Sequence, residues 1–243
     1  MSEWHEALLP EGWRLEVLDE AGSTNDELRS RGNEAAGLVV LAERQTAGRG
    51  RRGAAWLSAP GESLTFSVLL RPTEGKGLWP RLSLATGLAV AESLGRFRVE
   101  AQIKWPNDVF VGGKKICGIL VEAADDHVIV GIGLNVGTRE FPEGLEATSM
   151  CLELGLVPER EAVLAEVLRS LNGWFGEIGA GFPRLIERVR QRCLLTGETV
   201  SLMSGERSVK GKVTGIGDSG ELLVGTERGE ERFLQAHEVR VMK

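Results

Sequence analysis

The chain has 243 residues, 42% hydrophobic and 26% charged, with 29 Lys+Arg against 35 Asp+Glu and a formal net charge of −6. That balance suits one sizeable globular domain plus a small one, and it excludes a general electrostatic attraction to nucleic acid or to an anionic membrane. The opening MSEWHEALLP has neither a basic start nor an apolar core, and the apolar runs are short, so neither a secretory leader nor a membrane span is expected.

Cys117, Cys151 and Cys193 are odd in number and far apart, and His5, His127 and His237 are equally scattered. A disulfide framework and a zinc site are therefore not expected, and a reducing cytoplasm is.

The first 22 residues are too few for a domain of their own. GSTNDELRSRG then sets Thr24 three residues before Glu27, a capping-box spacing that predicts a short helix ending at Gly32. GLVVLAERQ reads as a strand from its β-branched apolar run, and SLTFSVLLRP as a second strand stopped by Pro72. Between 78 and 95, Leu78, Leu82, Ala85, Leu88 and Ala89 share one helical face.

The block VEAQIKWPNDVFVGGKKICGILVEAADDHVIVGIGLNV predicts an antiparallel meander, turned at Gly112-Gly113 and again at Asp125-Asp126. Residues 158 to 193 carry helical spacing, interrupted at GAGFP. From Thr196 short strands alternate with Gly, Asp and Ser turns, which predicts a small β-barrel. The expected organisation is an α+β fold: residues 1–194 form a mixed, largely antiparallel sheet with packed helices, and residues 195–243 a small SH3-like β-barrel.

TAGRGRRGAAW, residues 46 to 56, is the most unusual stretch. Gly48, Gly50 and Gly53 match the G-x-G-x-x-G of a dinucleotide-binding turn, but that turn must open a helix, and Pro60 and Gly61 followed by a strand forbid one. A nucleic-acid surface needs a basic face with aromatic residues, and only Trp56 is close by. A solvated basic loop without a role leaves three arginines among glycines unexplained. The remaining reading is a loop that closes over an anion, since guanidinium groups fork onto carboxylate or phosphate and glycines permit closure.

GSTN at 22–25, ERQTAGRGRRGAAW at 43–56, IKWPND at 103–108, GGKKICGILVE at 112–122 and GIGLNV at 131–136 occur in that order. With the small C-terminal domain they resemble the biotin protein ligases across nearly the whole chain; GRGRRG and KWPND are the specific elements. The resemblance implies ATP-dependent biotinylation of a lysine on a biotin carboxyl carrier protein domain of a biotin-dependent carboxylase, by way of biotinyl-5′-AMP.

Carried over residue by residue, it implies a biotin site of Ser23, Thr24, Asn25, Gln45, Gly48, Arg49, Lys115 and Gly118. ATP and the adenylate would be met by Arg51, Arg52, Trp56, Lys104, Asn107, Asp108 and Asn135. Lys104, Arg51 and Lys115 would act on the reacting carboxyl and phosphate. Mg²⁺ would be held mainly by phosphates, with Asp108 its protein ligand. The resemblance also implies a possible homodimer. Two features depart from relatives: Ala54-Ala55 stands where some carry further basic residues, and the ligase motifs begin at residue 22, so no DNA-binding domain and no repressor role are expected.

Plainer roles stand beside these. Trp56 could be an ordinary core tryptophan, Asn107 and Asp108 an Asx turn, and Lys114 a solvated neighbour of Lys115. Cys117 invites comparison with lipoyl- or octanoyl-transferring enzymes of the same fold, as a thiol nucleophile, against a small buried strand residue. A non-enzymatic anion- or RNA-binding module built on the same loop would consume no ATP.

Overall fold

The computed structural model describes residue 4 and residues 8–57, 59–236 and 239–242; His5 and His237 lie outside these, as does the side chain of Arg52. Its first unit is a seven-stranded mixed sheet. The strands are β1 (Arg14–Ala21), β2 (Leu38–Gln45), β3 (Ser63–Leu70), β4 (Gln102–Lys104), β5 (Asp108–Val111), β6 (Lys114–Ala123) and β7 (Val128–Asn135). They are ordered β1-β2-β3-β7-β6-β5-β4. Only β1 and β2 run parallel; the other pairs are antiparallel. The meander is present as expected, turned at Gly112 and Gly113 with φ of 55° and 79°, values that glycine adopts without steric cost. Strand β1 had no expectation attached to it.

Period-two alternation splits the sheet's side chains between two cores. Val39, Leu41, Phe66, Val68, Val130 and Ile132 enter the large one, beneath α2 (Leu82–Arg96), α4 (Arg160–Phe175) and α5 (Phe182–Gln191). Leu38, Val40, Leu69 and Ile129 point the other way and pack with Leu28 of α1 (Thr24–Ser30). A helix of 7 residues is not stable alone, so the fully buried Leu28, contributing about 1.5–3 kcal/mol, anchors α1 to the sheet. A short α3 (Met150–Leu154) precedes α4.

Local details differ from expectation at three places. Helix α1 ends at Ser30 rather than Gly32, and its N-cap is Ser23 without a side-chain cap. No capping box forms, because the Thr24 hydroxyl is engaged by Gln45 and Ser67 across the sheet. The helix expected from Leu78 starts as a 3-10 segment over Lys76–Arg81, which accommodates Pro80, and becomes α-helical at Leu82.

The C-terminal strands β8 (Thr199–Ser204), β9 (Arg207–Ile216), β10 (Leu222–Thr226), β11 (Gly229–Phe233) and β12 (Val239–Val241) pair antiparallel in the order β11-β10-β9-β8-β12. The expected barrel is thus an open sheet among the described residues, since β11 and β12 do not pair. It is docked firmly: the buried Trp105 indole donates to Gly220 O at 2.9 Å, and Arg190 Nε donates to Ile216 O at 2.7 Å. Apolar residues of both sheets share one core.

Candidate active site

The face of the sheet that carries α1 changes character toward the C-terminal end of β7. After Ile129 the same-face positions are Gly131 and Gly133, and Gly118 of β6 pairs with Gly133. Thr65 and Ser67 share that face on β3. Missing side chains open a cavity of about 310 Å³ there. The glycines have steric reasons: a Cβ on Gly133 would lie 2.3 Å from the Trp56 ring, and one on Gly131 would lie 2.3 Å from Asn25 Oδ1.

One end of the cavity is polar and neutral. Ser23, Thr24 and Asn25 enter from the start of α1, and Gln45 from the end of β2. Gln45 Oε1 accepts the Thr24 backbone N–H at 2.8 Å. All three α1 residues are buried. Away from these residues the lining is cationic, with Arg51, Lys104, Lys115 and Arg240, and Asp108 is the one carboxylate among the described lining residues; Arg49 also lines the cavity, beside α1.

Residues 48 to 56 form a small hairpin over this cavity. Arg49 bridges to Ala55, Gly50 N–H donates to Ala54 O at 2.6 Å, and Trp56 N–H donates to Gly48 O at 2.9 Å. Three contacts set its position. Arg49 forks onto Asp26, Arg51 donates to Asn107 Oδ1 and to Ala236 O at 3.2 Å each, and Trp56 lies on Gly118 and Gly133. The Trp56 indole N–H is buried with no hydrogen-bond partner among the described residues, a state that costs about 1–3 kcal/mol unless another group meets it.

The KWPND bend forms where Pro106 ends β4 and the chain returns as β5. Lys104 Nζ lies 4.9 Å from the centre of the Phe110 ring and has no ion pair among the described residues, which leaves its charge available. Lys115 Nζ meets Asp108 Oδ1 at 2.8 Å. Asn107 Nδ2 donates to Ile119 O at 2.9 Å, so this pair is more than an Asx turn. Lys114 is exposed, in keeping with its plainer role.

The Arg49 guanidinium holds the Asp26 carboxyl below its usual range, against the opposing effect of partial burial. Burial pushes the Cys117 thiol far up, and Lys115 only partly offsets this. A thiol that stays protonated is a poor nucleophile, and Cys117 packs as a small core residue.

A second cavity of about 480 Å³ adjoins the first, with Gln45, Ala55, Trp56 and Lys115 in the shared wall. It is lined by Gly48 and Asn135, and by Phe141, Pro142 and Leu145 from the loop after β7. That loop is tied to β6, since Lys115 N–H donates to Glu146 O and Thr148 N–H to Lys115 O, both at 2.9 Å. The Asn135 amide itself donates to Thr148 O at 3.0 Å.

The structure therefore gathers twelve sequence-selected residues round the first cavity: Ser23, Thr24, Asn25, Gln45, Arg49, Arg51, Trp56, Lys104, Asn107, Asp108, Lys115 and Gly118. Gly48 and Asn135 line the second instead. Sequence reasoning missed Gly131 and Gly133, although their i, i+2 spacing in GIGLN was visible. It also missed Ala236, Val239 and Arg240, for which no local signal existed because tertiary docking brings them in.

No group of three or more His, Cys, Asp or Glu among the described residues could hold a metal ion. Asp108 alone does not make such a site, so Mg²⁺ would have to arrive with phosphate ligands of its own.

A neutral hydrogen-bonding pocket opening onto a cluster of cations under an arginine hairpin defines a class of acid-activating ligases: the chain belongs to the biotin/lipoate A/B protein ligase family, whose model matches residues 16–135. It is 37% identical over 224 residues to the biotin–[acetyl-CoA-carboxylase] ligase of Mycobacterium tuberculosis, covering 88% of this chain and 84% of that one. It is 32% identical over 232 residues to the bifunctional ligase/repressor BirA of Bacillus subtilis, covering 91% and 71%. Among solved structures, the biotin protein ligase from Aquifex aeolicus in complex with biotin and ATP superposes with a TM-score of 0.87 at 36% identity, covering 94% of this chain and 99% of that one.

Proposed function

We propose that this chain is a biotin protein ligase, which activates biotin with ATP and passes it to a lysine of a carboxylase's biotin carboxyl carrier domain. The observation that carries the reading is the polarity of the first cavity, neutral hydrogen-bonding groups from the start of α1 and β2 and, away from them, four cations, Arg51, Lys104, Lys115 and Arg240. Biotin has the matching polarity: an uncharged cyclic urea, an apolar chain and a terminal carboxylate. Likeness to the Aquifex aeolicus ligase in complex with biotin and ATP supports the same assignment.

In this reading the urea ring lies against Ser23, Thr24, Asn25 and Gln45, with the glycine floor of β6 and β7 beneath it. The carboxylate reaches Lys115 and the backbone of the Gly48–Gly50 hairpin. The nucleoside occupies the second cavity, beside Asn135 and Trp56, which puts its α-phosphate between the two cavities. A carboxylate oxygen attacks the α-phosphorus, the bond from that phosphorus to the bridging oxygen breaks, and pyrophosphate leaves. Lys104 and Arg51 offset the negative charge that develops there. The acceptor lysine amine then attacks the acyl carbon, the acyl–phosphate bond breaks with AMP leaving, and the amine loses its proton.

The two anionic reactants, the biotin carboxylate and ATP, repel one another, which is why the cations cluster. Asp108, the one cavity carboxylate among the described residues, would face Mg²⁺ carried in on the phosphates, and the ion would add to their charge neutralisation. The closed hairpin keeps water from the mixed anhydride. No helix among the described residues is long and apolar enough to cross a membrane. The cytoplasm, where carrier domains are made, is the proposed site of action.

The test is ATP–pyrophosphate exchange by the purified chain with biotin, lipoate or octanoate in turn, then transfer to a carrier domain. Exchange that requires biotin is expected. Exchange with lipoate or octanoate instead would move the substrate to the lipoyl branch, and no exchange with any acid would remove the ligase reading.

A further inference from the structure

A chain of side chains runs from the polar end of the cavity to a carboxylate that does not line it. Thr24 Oγ1 is 2.7 Å from Ser67 Oγ, and Ser67 Oγ is 2.5 Å from Asn25 Oδ1. Asn25 Nδ2 in turn donates to Glu122 Oε2 at 2.6 Å. The other oxygen of Glu122 accepts from Arg29 Nη2 at 2.8 Å. Thr24, Ser67 and Asn25 are buried, so water does not readily substitute for any link.

The direction of this chain follows from counting protons. An ionised carboxylate only accepts, so Glu122 must face the amide nitrogen of Asn25. The amide oxygen then faces Ser67, which must donate its single hydroxyl proton to it. Ser67 is left as an acceptor for Thr24, and Thr24 spends its own proton there. Were the Thr24 proton given to Gln45 Oε1 at 3.2 Å, the Thr24 and Ser67 oxygens would meet at 2.7 Å with no hydrogen between them. What remains to Thr24 on the cavity side is its lone pairs.

We propose that Glu122 is a positioning residue that, through Asn25 and Ser67, fixes the Thr24 hydroxyl as an acceptor and so selects ligands that present a ring N–H at that point. This rests on the biotin reading of the cavity, where a urea N–H is the group in question. Glu122 touches no substrate; it sets the sign of the hydrogen bond that Thr24 offers. Arg29 makes the effect testable. In Glu122→Gln the arginine holds the new amide oxygen, which turns the amide nitrogen toward Asn25. Asn25 must then present its oxygen and each later hydroxyl reverses: Thr24 accepts from Ser67, which takes a lone pair it had offered the ligand, and turns its own proton to Gln45 Oε1 at 3.2 Å or to the cavity.

The experiment is calorimetric titration of biotin, and separately of ATP, into the whole chain and its variants. Glu122→Gln is expected to weaken biotin about tenfold or more and to leave ATP within about twofold. Arg29→Ala alone should leave biotin within about twofold. In the double variant Arg29→Ala/Glu122→Gln the glutamine is free to turn its oxygen to Asn25, and biotin affinity should largely return. In a Thr24→Val background Glu122→Gln should cost nothing further. The inference is overturned if Glu122→Gln leaves biotin affinity unchanged, if Arg29→Ala reproduces the loss, or if the double variant is the weakest of the set. A wild-type chain that binds no biotin overturns the functional reading itself and this inference with it, which separates that failure from the others.

Discussion

Arg49 clasps Asp26 through both arms of its guanidinium, Nη1 to Oδ2 at 2.5 Å and Nη2 to Oδ1 at 2.6 Å. This bidentate pair joins the arginine hairpin to the first turn of α1, the helix whose residues form the neutral end of the cavity. Arg49 thus lines the cavity with a carboxylate partner already in place. The pair ties the hairpin to α1, so a change at Asp26 bears on the loop over the cavity.

Asp26→Asn is therefore expected to loosen the hairpin. Trypsin should cut faster at Arg49, Arg51 and Arg52, and biotinyl-5′-AMP should escape faster, read by hydroxylamine trapping. The pH dependence has a definite sign. Arg49 holds the Asp26 carboxyl below its ordinary 3.8. The clasp is complete above that value and is lost as pH falls through the lowered folded-state value. The Trp56 emission difference between wild type and Asp26→Asn, followed from about pH 6 to about pH 2, should vanish at the acid end. A difference that persists there would sink the assignment.

Lys104→Ala removes the cavity cation that has no ion pair among the described residues. Exchange should fall about a hundredfold or more, the scale for a group aimed at developing charge. Biotin affinity and melting temperature should change little, since the Lys104 side chain makes no hydrogen bond among the described residues and only faces the Phe110 ring. An equal loss in biotin affinity would instead make Lys104 a ground-state binding group.

Cys117→Ala should retain exchange within about twofold and cost about 1 kcal/mol of stability through lost packing. The native thiol should resist alkylation at neutral pH. Burial raises its folded-state value above the ordinary 9.0. Its contribution to stability is thus whole below the unfolded thiol's value and declines as pH rises beyond it. Rapid alkylation of the folded protein with loss of exchange would revive the thioester alternative.

Gly133→Ala places a methyl 2.3 Å from the Trp56 ring, a separation no real contact has. The ring must leave the sheet, and β7, buried from Val128 to Ile132, should hold. Acrylamide should then quench Trp56 more strongly, and biotin should bind about tenfold or more weakly. Unchanged quenching would show that the ring does not rest on Gly133.

Most of the site's first layer was legible because it lies in contiguous motifs whose chemistry is local. Gly112-Gly113 dictates a reversal by backbone sterics, and Pro106 dictates the end of a strand. Gly and Arg in alternation point to an anion under a closing loop. The apolar runs of GLVVLAERQ and SLTFSVLLRP likewise mark β2 and β3 as strands, though which core each residue enters is set by the sheet. Thr24 shows the limit: its spacing to Glu27 satisfies a capping box, yet a longer-range partner, Ser67, competes for the hydroxyl and wins.

Taken alone, the residues determined which strands reverse on one another, which motifs bring cations together, and that the chain resembles biotin protein ligases. Tertiary structure alone decided that Asp26 takes Arg49, that Glu122 is linked to Thr24 through the two intervening residues Asn25 and Ser67, and that Ala236 and Arg240, from the region of the open C-terminal sheet, complete the cavity. The reason is physical. Turn and alternation preferences act over a few residues, whereas Asn25 and Glu122 stand 97 positions apart and meet only because the strand order puts β6 and β7 beside α1.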